Sequence, residues 1–241
     1  MSKVAIIGFG NVGYHLAVRI SKKHEVIVFG RTPDDELIKS IDDLDTSEFD
    51  FTILAIPDTA IKEVSDSLNT SDSIILHTSG SIPLDVLAGH TRTGVMYPLQ
   101  TFSREKNIDF NSFPIFIEGS EETEKAIFNF TRSFSTDVRL MNSTNRAKLH
   151  LAAVFVSNFT NHLYHISDTI LASAKLEFSD LQHLADETLK KAAEISPLKA
   201  QTGPAVRNDT VTMKKHLGML ENDGWKRIYE LISEDIRKSQ Q

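Results

Sequence analysis

The feature that most constrains this chain is Gly8-Phe9-Gly10-Asn11-Val12-Gly13, which directly follows the apolar run Val4-Ala5-Ile6-Ile7. The spacing G-x-G-x-x-G is weak by itself. Here it leaves an apolar strand and opens a helical segment with Leu16, Ala17 and Ile20 on one side, the setting its mechanism requires. Gly8 permits a tight turn, and Gly10 leaves room for the backbone to approach a pyrophosphate. Gly13 lets the helix sit close to the strand, whose helix start offers free N–H groups and a positive dipole end to an anion. All six residues are therefore expected to line a dinucleotide.

The second strand bears on which dinucleotide. An NAD site usually ends that strand on Asp or Glu, which holds the ribose hydroxyls. Here the strand ends Phe29-Gly30-Arg31-Thr32. Gly30 stands where the acid is expected, Arg31 can hold a 2′-phosphate bidentately, and Thr32 can add a hydroxyl. The reading favours NADP over NAD. Asp34 and Asp35 lie close by and weaken the positive charge, and Arg31 as a solvated loop residue is the competing reading.

Three further strand ends carry candidate residues. Ala55, Ile56 and Pro57 suit the wall of a cofactor crevice, with Asp58 as a cap for the next helix. His77-Thr78-Ser79-Gly80 places Ser79 toward the cofactor. His77 could shuttle a proton at a substrate or merely close a strand. Tyr97-Pro98-Leu99-Gln100-Thr101-Phe102-Ser103 brings Gln100 forward as a substrate contact.

Strand-like runs alternate with helical ones through the first part of the chain. The strands fall at 3–8, 25–30, 51–57, 73–77, 94–97, 114–118 and 137–140, and the helices at 11–22, 59–68, 82–87 and 121–134. This pattern predicts a doubly wound, mostly parallel α/β sheet of Rossmann type. After Ser143 no convincing strand remains, and helices are expected at 146–175, 179–195, 210–220 and 224–238. Ser179 suits a helix cap and Pro197 a helix stop. The division expected is a nucleotide-binding domain over 1–143 and an all-α domain for substrate binding and dimerisation over 144–241.

The long helix has an unusual polar face. From Leu149 to Ser167 there is no Asp, Glu, Lys or Arg, and His150, Ser157, Asn158, Asn161 and His165 share one side at 100° per residue. Solvated faces usually carry Lys and Glu, so this stripe is expected to be buried against a cleft or another chain. His150, in the first turns, could donate a proton to a carbonyl or imine. Further on, Thr202-Gly203-Pro204 marks a turn, Asp209 suits a helix cap, and Arg207 could clamp a carboxylate or pair with Asp209.

Composition excludes several classes. The net charge of −7 argues against an extended nucleic-acid surface, and the absence of cysteine removes disulfides and thiol-ligated zinc; no metal site is expected. No leader pattern is visible, and the 149–167 stretch, with three histidines and two asparagines, is a poor membrane span. A cytoplasmic protein without membrane or nucleic-acid partners is the expectation.

Taken together, these stretches resemble a family that joins a Rossmann-like domain to a C-terminal helical domain of unknown function. The matching residues are Gly8–Gly13, His77–Gly80, Tyr97–Ser103, Lys148–Val154 with Ser157-Asn158-Phe159, and Thr202-Gly203-Pro204 with Arg207 and Asp209. That family is similar to pyrroline-5-carboxylate reductase and to the 6-phosphogluconate and β-hydroxyacid dehydrogenases. The resemblance implies an NAD(P)-dependent oxidoreductase, dimeric through its helical domain, acting on a small carbonyl, hydroxy-acid or imine substrate. It names no substrate. The β-hydroxyacid dehydrogenases carry a lysine on the long helix with an asparagine about one turn later. Here Lys148 is followed four residues on by Ala152, so that mechanism does not transfer. His150 and Asn158 are instead expected to be the catalytic pair, with His77, Gln100 and Arg207 on the substrate. A non-catalytic NADP-binding sensor or assembly protein is the alternative.

Overall fold

The computed structural model describes residues 1–32 and 37–240. By compactness the chain divides into two units, Met1–Asn158 and Phe159–Gln241.

The first unit is built on one eight-stranded sheet. Its strands are β1 (Lys3–Ile7), β2 (Glu25–Gly30), β3 (Ile38–Ser40), β4 (Phe51–Leu54), β5 (Ile74–His77), β6 (Thr93–Pro98), β7 (Ile115–Gly119) and β8 (Val138–Leu140). They lie in the order β3-β2-β1-β4-β5-β6-β7-β8. Neighbours are parallel except β6 and β7, which pair antiparallel with Met96 opposite Ile117. The expected doubly wound, mostly parallel architecture is therefore present. The edge strand β3 was not legible in the sequence, and 84–87 is a 3₁₀ turn rather than a helix.

Apolar strand runs arise because both faces are covered. Along β1, Val4 and Ile6 enter one core and Ala5 and Ile7 the other. The first core receives Leu16, Ala17 and Ile20 from α1 (Asn11–Ile20), and Ile127 and Phe130 from α3 (Glu121–Arg132). The second receives Ile61 from α2 (Ile61–Ser67) and Leu87. The chain moves from β1 to β2 on one side and returns to β4 on the other. The crevice at this reversal lies beyond the carboxyl ends of β1 and β4, where open α/β sheets hold ligands.

The unit closes with α4 (Ser143–Ala153), which continues into a π-helical turn over Val154–Phe159. The wider turn shifts the side-chain phase, so the uniform 100° projection fails there.

In the second unit the helices are α5 (Thr160–Ser173), α6 (Gln182–Ile195), the short α7 (Pro197–Ala200), α8 (Thr210–Met219) and α9 (Asp223–Ser239). The expected Ser179 cap is displaced. A 3₁₀ turn begins earlier, capped by Glu177 in a reciprocal box with Asp180. Asp209 does cap α8, accepting from Thr212 N at 3.0 Å. No helix among the described residues is long and apolar enough to cross a membrane.

Candidate functional site

The glycine turn has the geometry its spacing predicts. Gly8 takes φ +98°, and a Cβ there would lie 2.5 Å from the Ala55 carbonyl oxygen. A Cβ on Gly13 would lie 2.0 Å from the Gly8 carbonyl oxygen. Both residues are therefore required by packing. Gly10 is different, because a Cβ on it would meet nothing within 4 Å. Gly10 also starts α1 without a side-chain cap, and the first turn holds no acid. Unsatisfied N–H groups, a positive dipole end and open space at Gly10 fit a phosphate group.

Around this turn Ala55, Ile56 and Pro57 follow β4 and are half-buried to exposed. Asp58 does not cap α2; its carboxylate accepts from the Ser81 hydroxyl at 2.5 Å. Arg31 and Thr32 follow β2 and are exposed, and Arg31 forms no ion pair among the described residues. Asp34 and Asp35 lie outside the described residues. Arg104, which the sequence did not single out, reaches back to donate to the Phe9 carbonyl. Its guanidinium lies over the Phe9 and Tyr14 rings, 5.0 and 5.3 Å from their centroids. That contact spans 95 residues and has no local signal.

A second concavity of about 650 Å³ opens between the end of β6 and α4 with its π turn. Tyr97, Gln100, His150 and Asn158 all line it, which brings together the expected pair His150 and Asn158. The Tyr97 hydroxyl and His150 Nδ1 are 3.1 Å apart. Burial raises the Tyr97 pKa, opposed by the Arg146 charge, so the phenol stays protonated and can donate to Nδ1. Gly80 packs against both rings, since a Cβ on it would lie 2.6 Å from His150 Nδ1 and 2.8 Å from Tyr97 Cζ. Gln100 is exposed and accepts from Thr101 N through Oε1.

His150 owes its position to a buried ionic anchor one turn earlier. Arg146, 1% exposed, pairs with Glu118 on β7 and donates to the Ile82 carbonyl at 2.6 Å. Ser143 joins the same carboxylate through its N–H and hydroxyl at 2.9 and 2.7 Å. The start of α4 is thereby fixed to the sheet.

Within the first unit, one expected substrate residue lies apart from this concavity. The His77 ring is fully buried at the end of β5 and does not line the concavity, so no substrate reaches it as it stands. Burial first, and the Arg146 charge second, lower its pKa from 6.5 to about 4. Its Nδ1 accepts from Ser79 N at 3.2 Å, and a hydrogen bond to the Pro83 backbone opposes the lowering. The Ser79 hydroxyl is turned onto Ser81 N and Ile82 N of its own loop. Arg207 belongs to the second unit, where it is exposed and its charge helps hold the Asp209 carboxyl below the usual range, behind the bonds from Thr212. The polar stripe expected to be buried is exposed within the chain at Asn158, Asn161 and His165. Among the described residues no cluster of potential ligands could hold a metal ion.

The sheet order, the turn and the helical continuation define a Rossmann-type nucleotide-binding fold followed by a helical region. Residues 113–236 match the domain of unknown function DUF2520, and the chain belongs to that family. A Bacteroides fragilis protein provisionally assigned as an NADP oxidoreductase is 34% identical, with a TM-score of 0.86 over 98% of each chain. A reductive aminase from Aspergillus terreus, solved with NADPH and ethyl levulinate, shares the fold at 14% identity (TM-score 0.75, covering 100% of this chain and 95% of that one). So does 1-pyrroline-5-carboxylate reductase from Streptococcus pyogenes, at 18% identity (TM-score 0.57, 99% and 98%). No curated protein matches the sequence.

Proposed function

We propose that this chain is an NADP-dependent oxidoreductase acting on a small carbonyl or imine compound. The observation that carries the reading is the Tyr97–His150 pair, lining a concavity at the end of β6. Strands β1, β4, β5 and β6 run parallel, so that concavity opens on the same carboxyl edge as the glycine turn. The 34% identical Bacteroides protein and the NADPH-bound fold neighbour agree with this reading.

The turn 8–13 would hold the pyrophosphate, Ala55–Pro57 would wall the crevice, and Arg31 with Thr32 would take the 2′-phosphate. When bound, the reduced cofactor supplies two electrons and a hydrogen to the substrate carbon. His150 Nε2 gives its proton to the substrate oxygen or nitrogen while Nδ1 takes the Tyr97 hydroxyl proton, so the ring ends neutral and Tyr97 is reprotonated from solvent. Tyr97 holds the imidazole through Nδ1, which leaves Nε2 as the donor. Asn158 and Gln100 orient the substrate through their amides.

The helical unit supports a homodimer. Across residues 159–240 only Ile166, Ala205 and Ser233 are buried. Leu163, Ile166, Ile170, Trp225, Ile228 and Ile232 line a nearly apolar concavity of about 360 Å³. A unit with so little core cannot offset its chain entropy alone. A cover needed for folding must always be present, and a second copy of the same chain is the partner that always is.

Loss of NADPH absorbance against a panel of ketones, keto acids and cyclic imines tests the redox reading. Tight NADPH binding with persistent silence would favour a sensor. The ratio of NADPH to NADH dissociation constants tests Arg31. A preference for NADPH that falls about tenfold in Arg31→Ala is expected from loss of a charge-assisted bond. Equal constants in wild type, unchanged by the substitution, would remove Arg31 from the site.

A further inference from the structure

The concavity beside Tyr97 and His150 restricts the charge of what enters it. Among the described residues that line it, none carries Asp, Glu, Lys or Arg. Its hydrogen-bonding groups are Tyr97, Gln100, Thr101, His150, Ser157 and Asn158. Leu99, Phe102, Leu149, Val154 and Val156 supply an apolar wall.

Of the cations close in sequence, Arg146 and Arg104 are engaged by other groups, and the exposed Lys106 and Lys148 do not line the concavity. Arg146 is buried on Glu118 and the Ile82 carbonyl. Arg104 is engaged by the Phe9 carbonyl and two rings. Lys148 is exposed, does not line the concavity, and stands about 200° around the helix from His150. A carboxylate entering here would lose hydration without gaining a cation. His150 is the one lining group that could pair with it. A carboxylate there would occupy the proton donor that the carbonyl oxygen or imine nitrogen needs.

We infer that the substrate is an uncharged carbonyl or imine compound with an apolar body, and not a keto acid or hydroxy acid. The inference rests on the reductase reading and narrows it. The polar groups at one end suit a single oxygen or nitrogen, and the apolar wall suits a hydrocarbon body.

A matched pair tests this: 4-oxocyclohexanecarboxylate and its methyl ester, titrated by ligand-observed NMR against the chain loaded with NADPH. NADPH loading is verified first by calorimetry. The ester is expected to bind on the order of tenfold more tightly, because only the acid must strip a charge. Thr101→Lys adds a cation at an exposed lining position and is expected to erase or reverse that preference. Equal binding, tighter binding of the acid, or binding of neither compound by the loaded wild type overturns the inference while leaving the cofactor reading intact. Failure to bind NADPH overturns the reductase reading and the inference with it.

Discussion

Gly10 and Gly13 stand in one turn but are required by different things. At Gly13 the fold itself leaves no room, with the Gly8 carbonyl oxygen 2.0 Å from where a Cβ would sit. Gly13→Ala is expected to cost about 1–3 kcal/mol, read as a lower midpoint in urea, because backbone must move. At Gly10 a side chain meets open space, and the backbone is already extended at φ −69° and ψ −170°. Gly10→Asp should leave the melting temperature unchanged or slightly raised, since Asp is a good helix cap. The same carboxylate would repel the phosphates, and NADPH affinity should fall at least about a hundredfold. A variant that unfolds, or one that binds NADPH normally, contradicts this division of roles. His77 gives a second prediction at this scale. Its folded pKa of about 4 lies below the unfolded 6.5, so the unfolded chain takes up the proton first as pH falls. Its contribution is complete above about pH 6.5, declines as pH drops, and is gone below about 4, with about 3 kcal/mol at stake. His77→Gln should therefore show a shallower loss of melting temperature between about pH 7 and pH 4 than the wild type. Parallel curves would show that His77 titrates normally.

At the scale of elements, the start of α4 depends on one ion pair. Arg146→Met leaves the half-buried Glu118 without its cation and should cost about 2–4 kcal/mol, measured by denaturant unfolding. Restoring neutrality with Glu118→Gln in the same chain should recover part of that loss; strict additivity would argue against coupling. The helix start also sets His150, one turn on, so Tyr97→Phe should lower kcat on any substrate found while leaving NADPH affinity unchanged. Many of these elements were legible beforehand. Apolar runs and the 3.6-residue period marked seven strands and most helices, and the spacing of glycines marked the turn. Strand direction was not legible, because the apolar run 115–117 reads the same whether β7 pairs parallel or antiparallel to β6. The π turn at Val154–Phe159 was invisible to a fixed helical period, which is why the polar stripe was mapped as one continuous face. Tyr97 and His150 lie 53 residues apart and meet only through the fold, so the sequence offered each alone. His77 misled for the converse reason, since a buried strand-end histidine and a cleft histidine have the same local sequence.

At the scale of the whole molecule, the chain combines a sheet unit with two full cores and a helical unit with almost none. Sedimentation should therefore give twice the chain mass at micromolar concentration, with thermal stability that rises with protein concentration. Ile170→Glu, at a 42% exposed apolar position, should weaken association and stability together. A well-folded monomer would contradict the homodimer. Calorimetric titration of the chain with NADPH is the measurement that decides whether the turn at 8–13 holds NADP. One saturable site per chain is expected, tighter for NADPH than for NADH, and lost in Gly10→Asp with the fold intact. Absence of saturable binding by the folded wild type, or binding that survives Gly10→Asp undiminished, would contradict it.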